Sequence, residues 1–101
     1  MKNLELKNVL GHVNQFDLDE WQKNSFISYE SLCCVLDWDL YKITFWRDWD
    51  YSKTTLKHLY AFLNEYNIEL NSKKDVQKAI ENWVYHWPYA PRTIEYDGQM
   101  Y

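Results

Sequence analysis

Residues 46–66 read WRDWDYSKTTLKHLYAFLNEY. This stretch joins the end of an alternating segment to the best-marked helix in the chain. Ser52 is a good N-cap, because its hydroxyl can accept from a free N–H in the first helical turn. Leu56, Leu59, Tyr60, Leu63 and Tyr66 then fall on one broad face, with Phe62 at its flank. Lys53, Thr54, Lys57, Ala61 and Asn64 fall on the other. Asn67 suits a left-handed C-terminal position. The spacing predicts a helix over 53–66.

Upstream, Lys42 to Trp46 alternates, with Ile43 and Phe45 on one side and Lys42, Thr44 and Trp46 on the other. Leu32 to Leu36 is continuously apolar, as in a strand covered on both faces. Trp38-Asp39-Leu40-Tyr41 links the two into an antiparallel hairpin, and Ser28 to Ser31 bends the chain before it. Two strands alone are marginal in water, so helices must cover one face. Downstream, Ser72 and Asp75 form a capping pair. A second helix over 73–86 places Val76, Ala79, Ile80, Trp83 and Trp87 on one face, and Pro88 and Pro91 stop it. Residues 93–96 are read as a short strand added to the hairpin's edge, and residues 97–101 as a mobile tail. In residues 4–15, Leu6, Val9, Leu10 and Val13 have helical spacing, which predicts an N-terminal helix. Asp17 to Glu20 reads as a further helix start, with Trp21 as its apolar anchor.

The predicted fold is therefore α+β. A small antiparallel hairpin or three-stranded sheet is covered by two main helices (53–66 and 73–86) and an N-terminal helix. At 101 residues the chain has the length of one domain, residues 1–101. An apolar fraction of 47% with two glycines argues against disorder. There is no apolar run long enough for a membrane span and no signal-peptide core, which gives a cytoplasmic expectation, with no membrane partner.

Charge and chemistry narrow the function. The net charge is −4, carried by residues 1–50, where nine acids face five bases. That weighs against general nucleic-acid binding, whose affinity comes mostly from phosphate contacts. Cys33 and Cys34 are adjacent in an apolar run and read as buried free thiols. His12, His58 and His86 are scattered, without metal-ligand spacing, so no metal and no cofactor is expected. Ser52 to His58, SKTTLKH, combines a helix start with hydroxyls and lysines, a combination that can hold a phosphate. The glycines of a phosphate-cradling loop are absent, and a capped helix with a solvated lysine face is the plainer reading. His58 and Glu65 lie two turns apart on one side of that helix. As a base and its carboxylate they would have no nucleophile tied to them, and no catalytic residue is assigned.

Aromatic content is the outlier: six Trp, nine Tyr and four Phe. A core of this size cannot hide them all. Trp and Tyr are frequent anchors of protein contacts. Trp38, Asp39, Tyr41, Trp46, Asp48, Trp49, Asp50 and Tyr51, with Lys53 and Lys57, are the candidate partner-binding residues. The plainer reading of half these rings is that they cover the hairpin. The segment 86–92, HWPYAPR, reads as a rigid turn packing Trp87 and Tyr89 on the core.

Two motifs carry a resemblance. Ile27-Ser28-Tyr29-x-Ser31 precedes the first strand. Trp49-Asp50-Tyr51-Ser52-x-Thr54-Thr55-x-Lys57-His58-x-x-x-Phe62-Leu63 opens the helix. Together they resemble a group of short phage and plasmid proteins of unknown function. Those read Ser-Tyr, Asn or Asp, Ser or Thr before the strand, and Trp-x-Tyr-Ser-x-Thr-Thr-x-Lys-His-x-x-x-Phe-Leu at the helix. Glu30 departs from that pattern. The resemblance implies a mobile-element source and carries over no catalytic residues. The leading expectation is a non-enzymatic accessory protein that binds a host protein, in the manner of an inhibitor of a defence nuclease such as a CRISPR effector. The alternative is a nucleic-acid or nucleotide module using Ser52 to His58 and the nearby rings.

Overall fold

A computed structural model describes residues 4–82, 84–86 and 91–96, with side chains for residues 6–82 and Ile94. Among the described residues seven strands form one sheet. Strands β1 (Leu4–Asn8), β2 (Gln15–Glu20), β3 (Lys23–Ser28), β4 (Ser31–Asp37) and β5 (Lys42–Phe45) run as a five-strand antiparallel meander. Helices α1 (Lys53–Glu65) and α2 (Lys73–Asn82) follow. The chain returns as β6 (Val84–His86) and β7 (Pro91–Tyr96), with β7 parallel to β5. The fold is α+β, with a larger sheet than the sequence implied.

The helices cover one face. Phe26, Cys34, Leu36, Ile43, Phe45 and Ile94 stand on that face by register, and all are buried. Phe26 meets Phe62 of α1 at 5.5 Å between ring centroids, and Phe62 meets Tyr66 at 5.5 Å. The buried stripe of α1 is Thr55, His58, Leu59, Phe62 and Leu63. Phe62 is thus at its centre, and Leu56 and Tyr60 are at its margin. Ser52 caps α1 by accepting from the Thr55 N–H. Asn67 takes a left-handed φ of 62°. At α2, Ser72 Oγ accepts from the Asp75 N–H, and Asp75 accepts from Asn71 N–H.

The N-terminal expectations are corrected. Residues 4–15 form β1, a 3-10 turn at Val9–Gly11 and a loop rather than a helix, and Asp17 to Glu20 belongs to β2. Gln15 to Asp19, QFDLD, alternates, and alternation is the strand period. Helix α2 ends at Asn82, so Val84–His86 is strand. Pro91 opens β7, a position where its missing N–H breaks no ladder. Trp83, Trp87, Pro88, Tyr89 and the tail 97–101 lie outside the described residues, and with them the proposed packing of Trp87 and Tyr89.

The apolar run of β4 has another cause than cover on both faces. Phe26 pairs with Cys34 while Ile27 pairs with Leu32, so Cys33 is an extra residue in a bulge. The bulge lets adjacent cysteines both point inward, and Leu32 remains exposed. Both thiols are free, as expected.

Candidate protein-binding surface

The meander has two ends. One holds the β1–β2 loop, the β3–β4 turn and the start of α1. The other holds the β2–β3 and β4–β5 turns.

At the first end the two motifs of the resemblance meet. Ser28 Oγ lies 2.9 Å from Thr55 Oγ1, which lies 3.0 Å from Ser52 Oγ. Thr55 faces inward, and the hydroxyls of Ser28 and Ser52 satisfy its own. Beside it, His58 Nδ1 is 2.7 Å from the Thr54 carbonyl, which only accepts, so Nδ1 carries the proton. His58 is buried, and its ring meets the His12 ring edge-on at 5.0 Å. Glu65 lies elsewhere, paired with Lys7, so the His58–Glu65 pair does not form. Gln15, registered opposite Ser28, is fully buried, and neither amide atom has a hydrogen-bond partner among the described residues. Burial pushes the Cys33 thiol up to about 12 and Cys34 well above its usual value. Neither is an ionised nucleophile near neutral pH.

The predicted partner residues are split between the ends of β5, a strand roughly 13 Å long at about 3.3 Å per residue. Trp49 is buried against Phe45 in the 3-10 turn Arg47–Asp50. Asp48 accepts from the Cys33 thiol through its carbonyl, and its carboxylate lies 4.0 Å from Arg47. Asp50 pairs with Lys73 at 3.3 Å, fixing the start of α2. Trp46 is half-buried, with its indole N–H enclosed. Tyr51, Lys53 and Lys57 are exposed on the outer side of the α1 start.

At the second end, Trp38 packs against Tyr66 with ring centroids 5.4 Å apart and planes tilted by 55°, and its indole N–H donates to Asn24 at 2.7 Å. Asn24 donates to Asp17 at 3.1 Å, and Tyr66 O–H donates to the same carboxylate at 2.5 Å. This network ties both turns to the end of α1. Burial raises the Asp17 carboxyl above its ordinary value, against the lowering effects of Tyr66, Asn24 and Lys7. Burial, and then the Asp17 bond, push the Tyr66 phenol up.

Above the network the surface opens. Asp37 Oδ1 accepts from the N–H groups of Asp39 and Leu40, folding the β4–β5 turn as an Asx turn. The Trp38 N–H donates to the Gln22 carbonyl, joining that turn to its neighbour. Glu20, Trp21, Gln22, Lys23, Asp37, Asp39 and Leu40 line a cleft of about 690 Å³. Trp21 is 65% exposed, Leu40 62% and Tyr41 50%. Trp21 and Tyr41 also hold left-handed φ of 54° and 52°. Side chains with a Cβ are disfavoured there by about 1–2 kcal/mol, and Gly or Asn is the usual occupant. The fold therefore asks for small residues where the sequence supplies two exposed rings. Asp39 and Tyr41 were among the predicted residues; Trp21, Leu40 and Glu20 were not. The strand alternation of QFDLDE, ending at a two-residue Trp21-Gln22 turn, was the signal for them.

These features define a class: an α+β protein whose mostly antiparallel sheet bears both helices on one face and exposed aromatic residues at its ends. Residues 2–80 match a family of unknown function (DUF8033), and the chain belongs to that family. No curated protein and no solved structure matches it. Among the described residues, no helix is long and apolar enough to cross a membrane, and no group of three or more His, Cys, Asp or Glu residues is placed to hold a metal.

Proposed function

We propose that this chain is a non-enzymatic accessory protein that acts by binding another protein through its turn-end cleft. One observation carries the reading: Trp21 and Tyr41 are exposed rings held at left-handed backbone positions beside a cleft. The left-handed backbone disfavours any residue with a Cβ there, whereas a partner gains rigid apolar anchors. Glu20, Asp37 and Asp39 favour a partner with basic residues, and the acid excess of residues 1–50 steers in the same direction. A host protein with a nucleic-acid-binding surface fits, and a defence nuclease complex is the form of it we favour. The motif resemblance to phage and plasmid proteins supports that last step.

The nucleic-acid alternative draws on exposed Tyr51, Lys53 and Lys57. It loses Ser52 and Thr55, whose hydroxyls are bonded to each other and to Ser28. The test is capture from host lysate with wild type, a Trp21→Ala/Tyr41→Ala variant and a Tyr51→Ala/Lys53→Ala variant. The first variant loses the partner and the second keeps it. The reverse pattern, or recovery of nucleic acid that falls away steeply with salt, sinks the cleft reading.

A further inference from the structure

We infer that the outer edge of β1 is a self-recognition surface that joins two copies of this chain into one continuous sheet. Strand β1 stands at the end of the strand order, so one row of its backbone N–H and C=O groups has no strand beside it among the described residues. Its sequence is Leu4-Glu5-Leu6-Lys7-Asn8. Antiparallel pairing with a second copy, centred on Leu6, sets Leu6 opposite Leu6. The same register sets Glu5 opposite Lys7 and Lys7 opposite Glu5. The strand is thus complementary to itself under a two-fold axis, as an isologous interface requires. Opposite charges directly across an antiparallel pair are favourable and like charges are not.

The rest of the register supports this occupant. Within one chain Glu5 stands opposite Asp19, a like-charged position. A second copy brings Lys7 to its other side. Lys7 lies by Glu65 and 3.9 Å from Asp17 on the face that carries the helices. Leu6 is 56% exposed on the face away from the helices, where the register continues it to Leu18. Pairing at Leu6 extends that row across the two-fold into the second copy. Both helix layers then lie on the same side of the joined sheet. Because the strands are antiparallel, the two turn-end clefts point in opposite directions, so this inference is independent of what the clefts bind.

The test is sedimentation velocity on the full chain, over concentrations from micromolar to millimolar. Wild type is expected to dimerise reversibly. Glu5→Lys sets Lys against Lys and raises the dissociation constant about tenfold or more. Lys7→Glu sets Glu against Glu and does the same. An equimolar mixture of the two variants restores dimer, because each Lys then faces a Glu of the other chain. A circular dichroism melt of each variant establishes that it is folded, which matters most for Lys7→Glu because it also removes the Glu65 pair. A wild type that stays monomeric throughout, a dimer indifferent to Glu5→Lys, or folded variants whose mixture stays monomeric would each overturn the inference.

Discussion

The two ends of the meander make an instructive contrast. The end at the start of α1 contains the residues that stand out chemically: Ser28, Ser52, Thr55 and His58. They turn inward and bond to one another or to backbone. The opposite end is built from two turns set over the Trp38, Asn24, Asp17 and Tyr66 network, and its tips present Trp21, Leu40 and Tyr41 to solvent. Hydroxyls and imidazoles that draw attention in a sequence hold this fold together. Bulky residues at turn tips, which pass as ordinary turn residues, form its open surface. Burial separates the two groups, and burial depends on which way each turn winds.

Three substitutions test that contrast. Thr55→Val keeps the shape but leaves the Ser28 hydroxyl buried without its bond. It is expected to lower unfolding free energy in urea by about 2 kcal/mol. Tyr66→Phe removes one donor from the buried Asp17 carboxylate, with an expected loss of about 1.5 kcal/mol in the same measurement. Trp21→Gly should move the other way. Relief of the left-handed strain exceeds the added chain entropy, giving a gain of about 0.5 kcal/mol together with loss of partner binding. A loss of stability at Trp21→Gly would mean that the ring supports the fold, and the contrast would collapse.

The smallest effect is in pH. The folded-state pKa of Asp17 is raised, so the folded chain binds this proton more tightly than the unfolded chain. Its contribution therefore favours folding as pH falls through the raised value towards the ordinary aspartate range. It is lost as pH rises back through that window. In urea melts between neutral pH and pH of about 4, wild type should gain stability relative to Asp17→Asn. A relative loss on acidification would show that the Tyr66 and Asn24 bonds outweigh burial.

The sequence was legible where local rules act alone. The caps at Ser52 and Ser72, the left-handed Asn67, the β4–β5 hairpin and the strand added at its edge all follow from spacing and side-chain chemistry. The first thirty residues were not. Leu6, Val9, Leu10 and Val13 have helical spacing by coincidence, and the turns lack their usual markers. Tyr29 and Glu30 both hold positive φ between paired Ser28 and Ser31, where a hairpin normally shows Asn-Gly. Without glycine or asparagine at Trp21, Tyr29, Glu30 and Tyr41, the turns did not announce a meander, and the alternation of residues 15–19 was its one local sign. The candidate surface was half visible. Asp39 and Tyr41 were found because aromatics and acids cluster around β5. Trp38 and Trp49 carry the same signal yet pack inward, a distinction made only by tertiary contacts.

The parallel pairing of β7 with β5 also has a consequence for the order of events during synthesis. Strands β1 to β5 each pair with a sequence neighbour, so their loops are short and close quickly. Strand β7 joins β5 only after both helices have been made. Until then the emerging chain carries β5 with its outer edge bare, next to the buried positions Ile43 and Phe45. That interval is when the chain is most open to pairing with the wrong strand, and arrival of β7 ends it.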